Sequence, residues 1–159
     1  MHRVGIGYDI HPFEDGTPLI LGGVKIPHPL GLKGHSDADV VSHAVADALL
    51  GAANLGDIGE HFPDTDDKNK NISSLKILKD IFSLISDKGW QLENIDVSII
   101  TEEPKISPYK EQMAENICEA LSCNAADISI KATTNERLGA LGRGEGIAAM
   151  AVALLSTVK

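Results

Sequence analysis

Asp9 and His11 stand two residues apart in the opening run MHRVGIGYDIHPF. On an extended strand that spacing points both side chains to the same side. Farther along, Asp39, His43 and Asp47 recur every fourth residue, which on a helix makes one polar stripe. If the end of the strand meets the start of this helix, Asp9, His11 and His43 converge. Two imidazoles and a carboxylate suit zinc, and three protein ligands leave one coordination position open, the pattern of a catalytic rather than a structural site. Asp39 or Asp47 is then a candidate to orient a ligating imidazole from behind. The plain alternative is a set of solvated polar residues at element ends, because D-x-H is a common triplet. His2, His28 and His61 lack such company and read as surface histidines.

Four other stretches carry groups suited to a phosphorylated ligand. His35 and Ser36 precede the helix, where backbone N–H groups, a hydroxyl and the positive dipole end can hold phosphate; a simple N-cap is the alternative. In KATTNERLGALGRGEG (131–146), Thr133 and Thr134 offer adjacent hydroxyls. Glu136 can bind a hard cation through oxygen, and Arg143 sits among glycines that let backbone approach a ligand. That combination favours a polyphosphate site over a long hairpin whose glycines serve only turns. GDIGEHFPDTD (56–66) holds Asp57, Asp64 and Asp66, suited to sugar hydroxyls or merely to solvation. TEEPKISP (101–108) ends a strand with two prolines and Lys105. Its fixed shape could present backbone groups to a flat base edge, or simply join a strand to a helix.

The elements that must position these groups follow from periodicity. Residues 2–11 alternate as a half-buried strand, with Val4, Ile6, Tyr8 and Ile10 on one face and Gly5, Gly7, Asp9 and His11 on the other. Residues 18–27 form a short hairpin turning at Gly22-Gly23. Val41, Val45, Ala48, Leu49 and Ala52 define a helix from about 37 to 54, with Ser36 or Asp37 as its cap. The polar segment 64–74 reads as a mobile loop. Helices are expected at about 73–88 and 108–122, and strands at 95–101, 128–134 and 146–157, the last rich enough in alanine to leave helix open. The order gives an α/β (α+β) sandwich: one domain over 1–159, with one mixed β-sheet and helices packed on one face. The other face needs cover, and the small residues of 146–157 would suit close packing against another subunit, so an oligomer is expected.

Bulk properties narrow the function. Net charge is −9 from 14 basic and 23 acidic residues, which argues against nucleic acid and anionic membrane as partners. An anionic ligand must therefore be gathered by metal ions and a few placed cations. No window approaches a membrane span, and the first residues show no signal core or transit leader, so a cytosolic protein is expected, or a mature organellar form whose leader has been removed. Cys118 and Cys123 match no zinc or redox spacing and read as plain thiols.

Taken in order, GIGYDIHPF, LILGGVKIP, GLKGHSDADVVSHAVADALLGAANLGDIGEHFPDTD, TEEPKISP and KATTNERLGALGRGEGIAAMAVALL resemble the 2-C-methyl-D-erythritol 2,4-cyclodiphosphate synthase family of the non-mevalonate isoprenoid pathway, over nearly the whole chain. The resemblance implies a lyase-type intramolecular phosphoryl transfer. In it, 4-diphosphocytidyl-2-C-methyl-D-erythritol 2-phosphate closes to the 2,4-cyclodiphosphate and releases CMP. It implies a homotrimer, its sheets facing inward and its active sites at subunit interfaces. Asp9, His11 and His43 would bind zinc, and Glu136 a magnesium or manganese ion on the substrate diphosphate. His35 and Ser36 would contact phosphate, and His35 and Thr134 match positions assigned to transition-state stabilisation. Asp57, Ile58 and Gly59, with Phe62, Pro63, Asp64, Thr65 and Asp66, would hold the methylerythritol. Thr101, Pro104, Lys105, Ile106 and Ser107, with Ala132, Thr133 and Thr134, would hold cytidine from a neighbouring subunit. Arg143 would lie near the threefold axis. Ala140 departs from the pattern, standing where many members carry a phenylalanine that lines an axial cavity. Two rival readings predict other outcomes: a metal-dependent phosphohydrolase or nuclease would release free phosphate or a linear product, and a zinc-stabilised binding scaffold would tolerate loss of Glu136 and Thr134.

Overall fold

In the computed structural model, residues 1–158 are described. The alternating N-terminal run becomes strand β1 (His2–Glu14), followed by the hairpin β2 (Leu19–Leu21) and β3 (Val24–Ile26), then by the short β4 (Gly31–Leu32). Helix α1 (Val40–Ala53) and the single turn α2 (Ile58–His61) precede α3 (Ser74–Asp87) and β5 (Trp90–Ile100). The chain closes with α4 (Lys110–Leu121), β6 (Ile128–Thr133), the turn α5 (Gly139–Gly142) and β7 (Gly146–Thr157). Five strands make one mixed sheet in the order β4-β1-β7-β5-β6, and β2 pairs with β3 apart from it. β7 is antiparallel to both β1 and β5, whereas β5 and β6 are parallel. β1, β5 and β6 therefore run the same way and end at one edge of the sheet.

Side-chain size decides which face of the sheet is covered. A Cβ on Gly5 would lie 2.0 Å from the Ala48 carbonyl oxygen, and one on Gly7 only 1.9 Å from that of Ala44. These glycines let α1 lie directly on β1 (GIG in sequence), and Ala149, Ala151 and Ala153 of β7 pack beneath the same helix, fully buried. Helices α3 and α4 complete the layer. Leu49, Leu78, Ile81, Ile85, Ile95, Ile99, Met113 and Ile117 fill the space between helices and sheet. The larger residues Val4, Ile6, Tyr8, Ile10, Met150 and Val152 point to the opposite face and stay exposed, Val4 by 67% and Ile6 by 64%. This corrects one expectation: the small residues of 146–157 serve packing within the chain, and the outward face is built from the large ones.

Other boundaries differ for local reasons. α1 begins at Val40 and is capped by Asp39 rather than by Ser36 or Asp37. β5 starts at Trp90 rather than 95 because a register shift between Leu92 and Asn94 interrupts its alternation without ending its pairing with β7. Gly22 and Gly23 have φ of 54° and 72°, as a two-residue type I′ hairpin turn requires. The polar segment expected to be a mobile loop contains a 3-10 turn at Asp67–Asn69, and Asn71 N donates to the His35 carbonyl at 3.1 Å. At the sheet end away from the strand termini just described, the Met1 amino group donates to Thr157 Oγ1 at 3.0 Å. Among the described residues no helix is long and apolar enough to cross a membrane.

Candidate active site

Asp9 and His11 leave β1 on the side covered by α1, and His43 comes from the first turn of that helix. Asp9 Oδ2 stands 2.9 Å from His11 Nε2 and 3.0 Å from His43 Nδ1. The three ligand atoms lie within 4.8 Å of one another. His11 Nδ1 is 2.6 Å from the Lys33 carbonyl, which can only accept, so Nδ1 carries a proton. His11 Nε2 is enclosed and has no well-directed hydrogen bond. Burial works to raise the Asp9 carboxyl, but hydrogen bonds and charge from His11 and His43 outweigh it and hold it well below the usual carboxylate range. Burial would lower the His11 imidazole, and the Asp9 carboxylate and Lys33 carbonyl overcome that and raise it. A buried Nε2 with no well-directed hydrogen bond, beside a second imidazole nitrogen and a carboxylate oxygen, fits a zinc-type ion.

The carboxylates expected to stand behind the imidazoles are used elsewhere. Asp39 is completely buried and accepts from Gly22 N, Gly23 N, Val41 N, Ser42 N and Ser42 Oγ at 2.8–3.1 Å. It ties the hairpin turn to α1 and occupies the helix N-terminal amides, so any phosphate contact here falls to the His35 and Ser36 side chains. Asp47 Oδ1 accepts from Ile58 N at 2.8 Å and pins α2. The actual neighbours of His43 Nε2 are Ser74 Oγ at 2.8 Å and Ser36 Oγ at 3.0 Å. Ser74 escaped the sequence reading because a serine pair at 73–74 looks like nothing more than a helix start.

A cavity of about 360 Å³ opens over these groups, lined by Asp9, His11, His35, Ser36 and His43 and closed by Ile58, Gly59, Phe62, Pro63 and Asp64. His35 Nε2 is buried here without a partner. Asp57, Thr65 and Asp66 are not in its lining; Asp57 caps α2 and Asp66 the turn after it. Thr101, Pro104, Lys105, Ile106, Ser107, Ala132, Thr133 and Thr134 line a separate cavity of about 500 Å³ at the ends of β5 and β6. Ile106 is buried. The two cavities share no lining residue. Across the sheet, Asp9 is opposite Ala149, Ala149 opposite Ile99, and Ile99 opposite Ala132. Three strand spacings separate the two clusters, about 14 Å.

Glu136 and Arg143 line neither of these cavities. Glu136 and Arg137 both adopt left-handed backbone, φ 50° and 60°. Glu102 Oε1 supports that turn by accepting from Asn135 N at 3.2 Å and Arg137 N at 2.9 Å. Arg143 pairs with Glu145 at 2.6 Å and faces a third cavity with Phe13, His28 and Arg137. Cys118 and Cys123 are free thiols, as read.

The fold is α+β, a mixed sheet covered on one face by helices, and it carries an aspartate and two histidines that could hold a metal ion beside a loop-walled cavity. The chain belongs to the YgbB family, whose model matches residues 2–156. The 2-C-methyl-D-erythritol 2,4-cyclodiphosphate synthase of Agathobacter rectalis is 56% identical over 154 residues, 97% of this chain and 87% of that one. Among solved structures, the bifunctional IspDF of Campylobacter jejuni superposes with a TM-score of 0.96 at 43% identity, covering all of this chain and 43% of its own. The IspF–CDP complex of Plasmodium falciparum superposes with a TM-score of 0.87 at 34% identity over 99% of this chain and 97% of that one.

Proposed function

We infer that the chain catalyses the reaction for which its relatives are named, forming 2-C-methyl-D-erythritol 2,4-cyclodiphosphate from 4-diphosphocytidyl-2-C-methyl-D-erythritol 2-phosphate with release of CMP. Family membership over 2–156 supports this, and one structural observation carries it to the site: Asp9, His11 and His43 converge with their ligand atoms within 4.8 Å. The 2-phosphate of the substrate attacks its own β-phosphorus, and the bond to the CMP oxygen breaks. The nucleophile is already an anion, so no strong protein base is required, and catalysis consists of folding the substrate for in-line attack and neutralising crowded oxygens. Zinc at Asp9, His11 and His43, and magnesium or manganese at Glu136, supply positive charge to those oxygens when bound.

The chain's own residues do the rest. His35 and Ser36 line the metal cavity and would hold phosphate there. Ile58, Gly59 and the Phe62–Asp64 wall enclose the methylerythritol, with Asp57, Thr65 and Asp66 shaping that loop. The cavity of residues 101–107 and 132–134 takes cytidine, and the Thr134 hydroxyl meets the diphosphate. The two cavities lie about 14 Å apart within one chain, and in this reading the metal cavity of one chain works beside the nucleotide cavity of another. The exposed apolar sheet face supplies a surface for that association, and a homotrimer with sheets inward satisfies both demands. Enclosure between chains also keeps water from competing as nucleophile.

The test is phosphorus NMR of the purified protein with the proposed substrate, zinc and magnesium. CMP together with a cyclic diphosphate is the expected product pair. Free phosphate or a linear product would establish the hydrolase instead, and unchanged substrate in the presence of both metals would leave the chain a scaffold.

A further inference from the structure

Ser74 is 1% exposed at the start of α3, and its bonds fix the proton of His43. Its backbone N–H donates to Asp37 Oδ2 at 2.9 Å, and its hydroxyl donates to Asp37 Oδ1 in a short bond. A carboxylate can only accept, so the single hydroxyl proton is committed to Asp37. The Ser74 oxygen is then free only to accept, and its partner 2.8 Å away is His43 Nε2. Nε2 therefore carries a proton, and Nδ1, 3.0 Å from Asp9 Oδ2, is the nitrogen that a metal ion would share with that carboxylate.

We propose that Asp37 and Ser74 are positioning residues of the metal centre: a carboxylate–hydroxyl pair that holds His43 in the tautomer presenting Nδ1 and strengthens that nitrogen as a ligand. The proposal rests on the metal assignment made above. A second acceptor, Ser36 Oγ, lies 3.0 Å from the same Nε2. The two serines differ in what else they can do. Ser36 lines the cavity and can turn to a phosphate, whereas Ser74 is locked by two bonds to Asp37. When a ligand draws Ser36 away, Ser74 keeps the imidazole oriented. His11 is served in the same manner by the Lys33 carbonyl, which no side-chain substitution removes. The Asp37–Ser74 pair is thus the part of this support that mutation can reach.

Partners of this kind behind a ligating histidine are commonly worth about 10–100-fold in metal affinity. The experiment strips the full-length protein of metal and measures zinc affinity by competition with a chromophoric chelator, with circular dichroism of the metal-free protein as the folding control. Ser74→Ala is expected to bind zinc at least about tenfold more weakly. Asp37→Asn, which keeps one acceptor oxygen but loses the charge, should show a smaller loss, and Ser36→Ala should stay within about threefold of the parent. In the zinc-loaded parent, long-range proton–nitrogen NMR should find a slowly exchanging His43 Nε2 proton that becomes fast-exchanging in Ser74→Ala. Parent-like zinc affinity in Ser74→Ala, or a larger loss in Ser36→Ala, overturns the proposal. If metal-free Ser74→Ala fails to fold, folded Asp37→Asn decides the matter, and parent-like affinity in it is likewise fatal. A parent protein that holds no zinc at this site would instead sink the metal assignment itself, a result distinct from either of these.

Discussion

Gly7→Ala tests the contact on which the site's geometry depends. The added methyl carbon would start 1.9 Å from the Ala44 carbonyl oxygen and 2.8 Å from Ala48 N, where an ordinary contact needs about 3.5 Å. Both obstacles are helix backbone, so no side chain can swing aside, and strand and helix must part locally by more than about 1 Å. Overpacking of a core typically costs 1–3 kcal/mol, and a backbone-to-backbone wedge belongs at the upper end, about 3 kcal/mol. For a chain of this size that corresponds to a melting point lower by roughly 6–12 °C. Function suffers as well, because His43 immediately precedes Ala44 while Asp9 and His11 follow Gly7 on the same face of β1. The wedge moves the two halves of the metal centre apart, so zinc affinity should fall with stability. Gly51→Ala is the control: its methyl would meet only the Ile6 carbonyl oxygen at 4.0 Å, and in mid-helix it should stabilise by about 0.5–1 kcal/mol. The assay is thermal unfolding at one fixed protein concentration without metal, followed by zinc titration of each folded variant. A Gly7→Ala protein that melts within about 2 °C of the parent and binds zinc equally well would refute the claim that close strand–helix approach sets the site.

Three further outcomes are expected. Asp39→Ala leaves four backbone amides and the Ser42 hydroxyl without their buried acceptor, so it should cost about 3 kcal/mol or more in denaturant unfolding, yet leave zinc affinity of the folded fraction unchanged, because Asp39 touches no imidazole. Glu136→Ala should raise the magnesium requirement of turnover or abolish it, read from phosphorus NMR rates across a magnesium series; an unchanged magnesium dependence would remove Glu136 from the site. Burial first, then the neighbouring Cys118, push the Cys123 thiol from 9.0 up to about 12. Native alkylation at pH 8 should therefore be about a thousandfold slower than in the unfolded chain, three decades of thiolate. By linkage the folded state binds the extra proton, so this thiol's contribution to stability is intact below pH 9 and drains away as pH rises towards 12; mass-spectrometric mapping of the labelled cysteine reads the first effect and urea midpoints the second.

Elements whose signal is periodic were legible in the sequence. The helices built on Leu75–Ile85 and Met113–Leu121, the final strand, and the hairpin at Gly22-Gly23 emerge within a residue or two of their expected places. Asp9, His11 and His43 were legible because a strand period and a helix period each bring their groups to one side. What stayed hidden depends on the third dimension. Which face of β1 is buried cannot be read from hydrophobicity, since the glycines, not Val4, Ile6 and Tyr8, face the core. Asp39 and Asp47 share the stripe of His43, yet N-cap geometry and the Ile58 amide claim them first. Ser74 lies 31 residues from His43 in the chain, and no local pattern announces the pairing. The separation of the two cavities follows only from strand order, which places β7 and β5 between β1 and β6.

The chain's two described ends meet at the sheet end opposite all of this chemistry, with the Met1 amino group on Thr157 Oγ1. An added domain can thus be carried at either terminus without crossing the cavity over Asp9, His11 and His43 or the one at residues 101–107. Natural gene fusion is open to such a scaffold, and the Campylobacter jejuni bifunctional protein, in which this fold accounts for 43% of the chain, shows the fold living beside additional sequence. For the engineer the same adjacency recommends circular permutation: a short linker from the last strand back to Met1 closes the backbone, and new ends can open at the exposed Lys88-Gly89 turn, where β5 starts at the sheet end away from His11.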